Sequence, residues 1–125
     1  MGYQHMVAAD IEPTPDRPSV QRAISDAVGL ENVAVNRYEA EPGEALPLAY
    51  HYHDDQEELF YVLSGQLVVE TPDGEYEVGA DEVFVVEPDS PQYATAAEDA
   101  DGTTQVLVVG APRVDDVHPY EEAEE

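Results

Sequence analysis

The apolar positions of this chain repeat at one spacing near its start and at another through its middle, and the change of period predicts its elements. Val20, Ala23, Ile24, Ala27 and Val28 recur at helical spacing, with Pro18 or Ser19 ahead of them and Gly29 behind, so the pattern predicts a short amphipathic helix. From Val33 the period falls to two. Val33, Val35 and Arg37 alternate with Ala34, Asn36 and Tyr38, which predicts a strand ending at Glu41-Pro42-Gly43. Residues 58–63 are apolar on both faces after an opening glutamate, the composition of a strand buried on both sides. Residues 66–71 and 75–78 flank Pro72-Asp73-Gly74 and read as a hairpin, and residues 82–86 form a strongly apolar strand closed by Glu87-Pro88-Asp89-Ser90-Pro91. Residues 93–96 and 103–109 predict two more strands around an acidic loop. Short strands at this spacing, with one helix in all, argue an all-β barrel or sandwich.

The ends of the chain read differently. Pro13, Pro15 and Pro18 break up the beginning, so residues 1–17 are expected to form an irregular arm, and residues 18–112 the barrel with its short N-terminal helix. Residues 113–125 carry Asp115, Asp116, Glu121, Glu122, Glu124 and Glu125 among few apolar side chains, and predict an acidic tail, disordered or loosely docked. His118, inside that tail, is expected to be solvated.

Within the barrel, His51 and His53 stand one residue apart. On a strand their side chains share one face while Tyr52 turns to the other, so two imidazoles project together as half of a metal site. Glu58 follows after the turn residues Asp54, Asp55, Gln56 and Glu57, and counting by twos it shares a face with Phe60 and Val62. An acid in an apolar row is costly to bury unless a cation or donor meets it, which makes Glu58 the third candidate ligand.

The stretch from Gly43 to Gly65 resembles the first motif of the cupin family, small jelly-roll barrels in which Gly, a gap of about five residues, His-x-His, a shorter gap, Glu, a further gap and Gly follow one another. Here seven residues separate Gly43 from His51, four separate His53 from Glu58, and six separate Glu58 from Gly65. The resemblance implies a cupin double-stranded β-helix. The family's second motif, with Gly, Pro-x-Gly, His and Asn, falls on Asp81, Glu87, Asp89, Gln92 and Ala96, none of which matches. The histidine that would complete the ligand set is Gln92, or Tyr93 if the register slides by one.

By that resemblance the chain binds one divalent transition metal (Fe, Mn, Ni, Co or Zn) through His51, His53, Glu58 and Gln92. It acts on a small organic molecule inside the barrel as a dioxygenase or isomerase would, with Tyr61 and Tyr93 as candidate catalytic acids or hydrogen-bonding groups. The alternative is a non-catalytic cupin that holds a small ligand or a structural metal. The family commonly dimerises, which implies a homodimer.

Composition narrows the field of partners. The 125 residues hold 29 acids against 4 bases, all arginine, for a net charge of −25, which repels nucleic acid and anionic membranes. Acids spread along the whole chain resemble the proteins of extreme halophiles. Cysteine is absent, so thiolate ligands and disulfides are excluded. No apolar run has the length of a membrane span, and no basic-then-apolar leader opens the chain, so the expected location is the cytoplasm.

Overall fold

Strands with one apolar face must cover that face with another sheet, and here two sheets close on each other. The computed structural model describes residues 2–121. Its elements are β1 (Val20–Ala23), α1 (Ile24–Val28), β2 (Ala34–Ala40), β3 (His51–His53), β4 (Glu57–Ser64), β5 (Gln66–Thr71), β6 (Gly74–Gly79), β7 (Val83–Val86), β8 (Tyr93–Ala96), β9 (Thr104–Ala111) and β10 (Val117–Pro119), with one 3-10 turn at Ala8–Asp10. One sheet runs β1-β2-β9-β4-β7, a second β6-β5-β8, and β10 pairs with β3. The result is an all-β jelly-roll barrel. Its core is built from inward positions of both sheets, among them Phe60, Val62, Leu67, Val69, Val106 and Val108.

The predicted helix is half strand. β1 pairs antiparallel with β2, Val20 opposite Glu39 and Ala23 opposite Asn36, and only Ile24–Val28 turn helical. Five apolar positions fit either period, and the free edge of β2 decides between them by offering β1 a ladder of backbone hydrogen bonds. The pairing sets Arg22 directly opposite Arg37, a repulsive arrangement on its own. Glu39 resolves it, since its Oε2 accepts from Arg22 Nε at 2.7 Å and from Arg37 Nη2 at 2.8 Å. The hydrogen bond from Arg22 is the main reason that the Glu39 carboxyl lies below the usual carboxylate range.

The tail is docked. β10 lies against β3, with Val117 opposite His53 and Pro119 opposite His51, and Tyr120 N–H donates to the Tyr50 carbonyl at 3.0 Å. His118 stacks on Tyr52 with ring centroids 5.2 Å apart and places Nε2 2.6 Å from Asp54 Oδ2. It is held on both sides rather than simply solvated. Residues 122–125 lie outside the described residues.

Gly65 turns the chain from the five-stranded sheet into the three-stranded one. Its φ is 85°, and a Cβ there would stand 2.4 Å from Thr104 Oγ1 and 2.7 Å from Thr104 Cα. Thr104 is fully buried and fixed by bonds to both backbone groups of Gln66. Gly65→Ala therefore meets backbone strain and a clash together, and its Tm should fall by roughly 5–10 °C in a thermal melt.

Glu39 gives a pH signature. A carboxyl whose pKa is depressed by folding stabilises the native state above its unfolded pKa, and that contribution is lost as pH falls through the folded value. The stability gap between wild type and Glu39→Gln should be constant near neutrality and shrink below about pH 4.5, the ordinary glutamate value, as urea melts across pH would show.

Candidate metal centre

β3 is three residues long, and it owes its position to partners on both sides. β10 pairs along one edge; on the other, His51 N–H donates to the Gln92 carbonyl at 3.2 Å and Gln92 N–H to the His51 carbonyl at 2.9 Å. Alternation then turns Tyr52 outward and buries His51 and His53 at 9% and 7% exposure. Glu58, on the inward row of β4 with Phe60 and Val62, faces the same space. One side-chain ligand atom from each of His51, His53 and Glu58 lies within 4.8 Å of the other two.

The second ring nitrogen of each histidine is already engaged. His51 Nδ1 is 2.8 Å from the Ala49 carbonyl, and His53 Nδ1 is 2.8 Å from Asp116 Oδ1. Both acceptors require an Nδ1–H donor, so both Nε2 atoms carry lone pairs toward the shared space. A carboxylate behind an imidazole in this way fixes the ring and raises its basicity as a ligand. Asp116 is itself held by the N–H groups of Asp55 at 2.7 Å and Gln56 at 3.0 Å. Burial opposes its charge, but these bonds and the one from His53 outweigh it and hold its pKa down to about 2.

Among the described residues, no side chain closes the centre with a short bond. His53 Nε2 to Glu58 Oε1 is 3.6 Å, and Gln92 Nε2 stands 3.5 Å from both His51 Nε2 and Glu58 Oε1, at or beyond the limit of useful hydrogen bonds. His53 Nε2 and Gln92 Oε1 are buried with no hydrogen-bond partner. Burial pushes the Glu58 carboxyl up, with His53 opposing it in part, and burial likewise pushes His51 down, so burial disfavours the charged form of each. Two imidazole lone pairs and a carboxylate that lacks a counter-charge are a donor set that fits a divalent transition cation.

The cluster opens into a cavity of about 580 Å³. Apolar walls come from Leu46, Leu48, Phe60 and Val108, and the docked tail contributes Val114, Val117 and Pro119. Arg17, Gln21, Asn36 and Tyr38 supply polar groups.

The structure thus brings His51, His53, Glu58 and Gln92 together, and separates Tyr61 and Tyr93 from them. Tyr61 lies on the outward row of β4, one residue out of phase with Glu58, and its hydroxyl donates to Asp81 Oδ1 at 2.5 Å. That bond raises its pKa further. Tyr93 stacks on Tyr50 with centroids 6.2 Å apart. Neither lines the cavity. Asp116 and Arg17 escape a reading of the sequence because they sit in segments that look like tail and arm; an acid next to an apolar, β-branched Val117 is the one local hint.

Comparison with known proteins agrees with the fold. A family model described as Cupin domain matches residues 36–110. Among solved structures, a sugar phosphate isomerase of the cupin superfamily from Silicibacter pomeroyi superposes with a TM-score of 0.66 at 27% identity, covering 75% of this chain and 59% of that one. This chain therefore spans about three-fifths of that relative's length. The polyketide cyclase RemF from Streptomyces resistomycificus gives 0.77 at 21% identity over 98% and 89% of the two chains. A protein described as a predicted oxalate decarboxylase from Thermotoga maritima gives 0.71 at 14% identity over 87% and 99%. The last two show likeness of fold alone. No match was found among curated protein sequences.

The ring assignments are testable without metal. Long-range ¹H–¹⁵N spectra of metal-free protein at neutral pH should show His51 and His53 both as Nδ1–H tautomers. Asp116→Asn should remove that preference at His53 and leave it intact at His51.

Proposed function

The chain belongs to the cupin family, and from that premise we propose that it is a metal-dependent cupin acting on a small organic molecule held in its barrel. The observation that carries this reading is the convergence of two Nε2 lone pairs and the Glu58 carboxylate on a buried space where none has a good protein partner. His51, His53 and Glu58 would hold the cation. Gln92, turned about its amide, would present its oxygen to the same space as a fourth donor. When bound, the metal supplies a Lewis acid that polarises a substrate oxygen.

The chain's own groups do the rest. The Ala49 carbonyl and Asp116 orient the two rings, the apolar walls keep water from the substrate, and the cavity has the size of a small-molecule site. The relative named as a sugar phosphate isomerase supports chemistry on a small oxygenated molecule. Isomerase- or oxygenase-type turnover is the reading we favour. A second reading, a non-catalytic cupin that holds a ligand or a structural metal, has one observation in its favour. With Tyr61 and Tyr93 outside, Tyr38 is the one lining residue beyond the candidate ligands with an ordinary acid–base side chain, and its pKa is raised, chiefly by burial.

Untagged protein should contain close to one transition-metal ion per chain by elemental analysis. His51→Ala and His53→Ala should each lower metal affinity by at least about 100-fold, more than loss of an outer-shell partner costs, and abolish any rise in Tm on metal addition. Unchanged metal content in both variants would end this reading. Azide or nitric oxide that perturbs the metal spectrum of the wild type indicates an open coordination position and favours the enzyme; an inert spectrum favours the structural role.

A further inference from the structure

Arg17 is out of keeping with the rest of the charge distribution. The chain's other arginines each meet a carboxylate: Arg22 and Arg37 meet Glu39, and Arg113 meets Asp26. Arg17 meets none among the described residues, although acids outnumber bases 29 to 4. Its Nη2 donates to the Leu46 carbonyl at 3.1 Å and to the Tyr38 hydroxyl at 3.3 Å, while its Nε is buried and has no acceptor. Arg17 lines the cavity, and Glu58 is the one acid among the lining residues.

Tyr38 extends the same pattern. Its hydroxyl oxygen accepts from Gln21 Nε2 at 2.7 Å and from Arg17 at 3.3 Å, which leaves its own proton as the group it can donate, and it lines the same cavity. A guanidinium that lines the cavity with no carboxylate beside it is costly to leave without a counter-charge and suited to an oxygen anion. The surface of the molecule is so acidic that it repels anions at long range; the cavity differs. With a divalent cation held by the two neutral histidines and Glu58, the lining would carry a net positive charge.

We propose that the cavity takes a small organic oxyanion, a carboxylate or a phosphate, anchored on Arg17 and on the Tyr38 hydroxyl. This rests on the reading of the cavity as the ligand site of a metal-dependent cupin and adds the charge of the ligand to it. The anion's charge meets the Arg17 guanidinium, which lines the cavity and meets no carboxylate among the described residues. A neutral molecule of the same shape leaves that guanidinium without a counter-charge.

The test is calorimetric titration of metal-loaded and metal-free wild type with potassium malonate, inorganic phosphate and neutral malonamide, with metal content measured on the same samples. Binding of malonate or phosphate, at least about tenfold tighter than malonamide, is expected, and whichever anion binds names the oxyanion class. Arg17→Gln should weaken that binding by at least about tenfold, Tyr38→Phe by a smaller factor, and Arg17→Lys should fall between wild type and Arg17→Gln; all three should keep the metal content of the wild type. Thermal melts identify any variant that fails to fold, and the comparison of malonate with malonamide on wild type needs no variant. Anion binding equal in wild type and a folded Arg17→Gln, or equal affinity for malonamide and malonate, overturns the proposal, as does binding of neither anion. Loss of metal binding in wild type would strike at the metal reading, and the metal-free titrations would still decide the anion.

Discussion

Each of the paired histidines gives its Nδ1 proton to a fixed oxygen, the Ala49 carbonyl for one and Asp116 for the other, and so leaves an Nε2 lone pair facing a buried acid. The rest of the site depends on that constraint. A ring free to rotate would bond to Glu58 or Gln92 and fill the centre with ordinary hydrogen bonds; rings held from behind cannot. The gaps of 3.5–3.6 Å between these side chains follow from the holding. The fold keeps several good donor atoms close together without letting them satisfy one another, the condition a cation site requires.

The barrel supplies the holding through strands whose pairing is mostly distant in sequence. β3 is too short to persist alone and is fixed by β10 on one edge and the Gln92 segment on the other. The same β10 brings Asp116 to His53 across 63 positions of chain, and Val114, Val117 and Pro119 to the cavity wall. Docking of the tail and preparation of the site are therefore one event. Acids crowd the outside of the molecule, while Glu58 and Arg17 both line the cavity.

How much of this was legible in the sequence depended on how local the cause was. His51, His53 and Glu58 follow from side-chain alternation on two neighbouring strands, a rule that needs only spacing. The position of Gln92 followed from the family pattern laid over the chain, and the structure sets it directly across from His51. Tyr61 stands apart from the cluster by the same rule, because residue 61 is out of phase with residue 58. The helix predicted from Val20 to Val28 gave way at β1, where an unpaired sheet edge outweighed a five-residue periodicity. Asp116 and Arg17 were not legible. Each lies in a stretch whose composition says loop, and each reaches the site through side-chain bonds to residues far along the chain.

The most direct measurement is anomalous diffraction from a crystal of untagged protein equilibrated with a transition metal, recorded at that metal's absorption edge. One peak is predicted, about 2.0–2.2 Å from His51 Nε2, His53 Nε2 and a Glu58 carboxylate oxygen, with His53 Nδ1 still bonded to Asp116. A centre with no anomalous peak, its side chains bonded to one another or to water, would contradict the account.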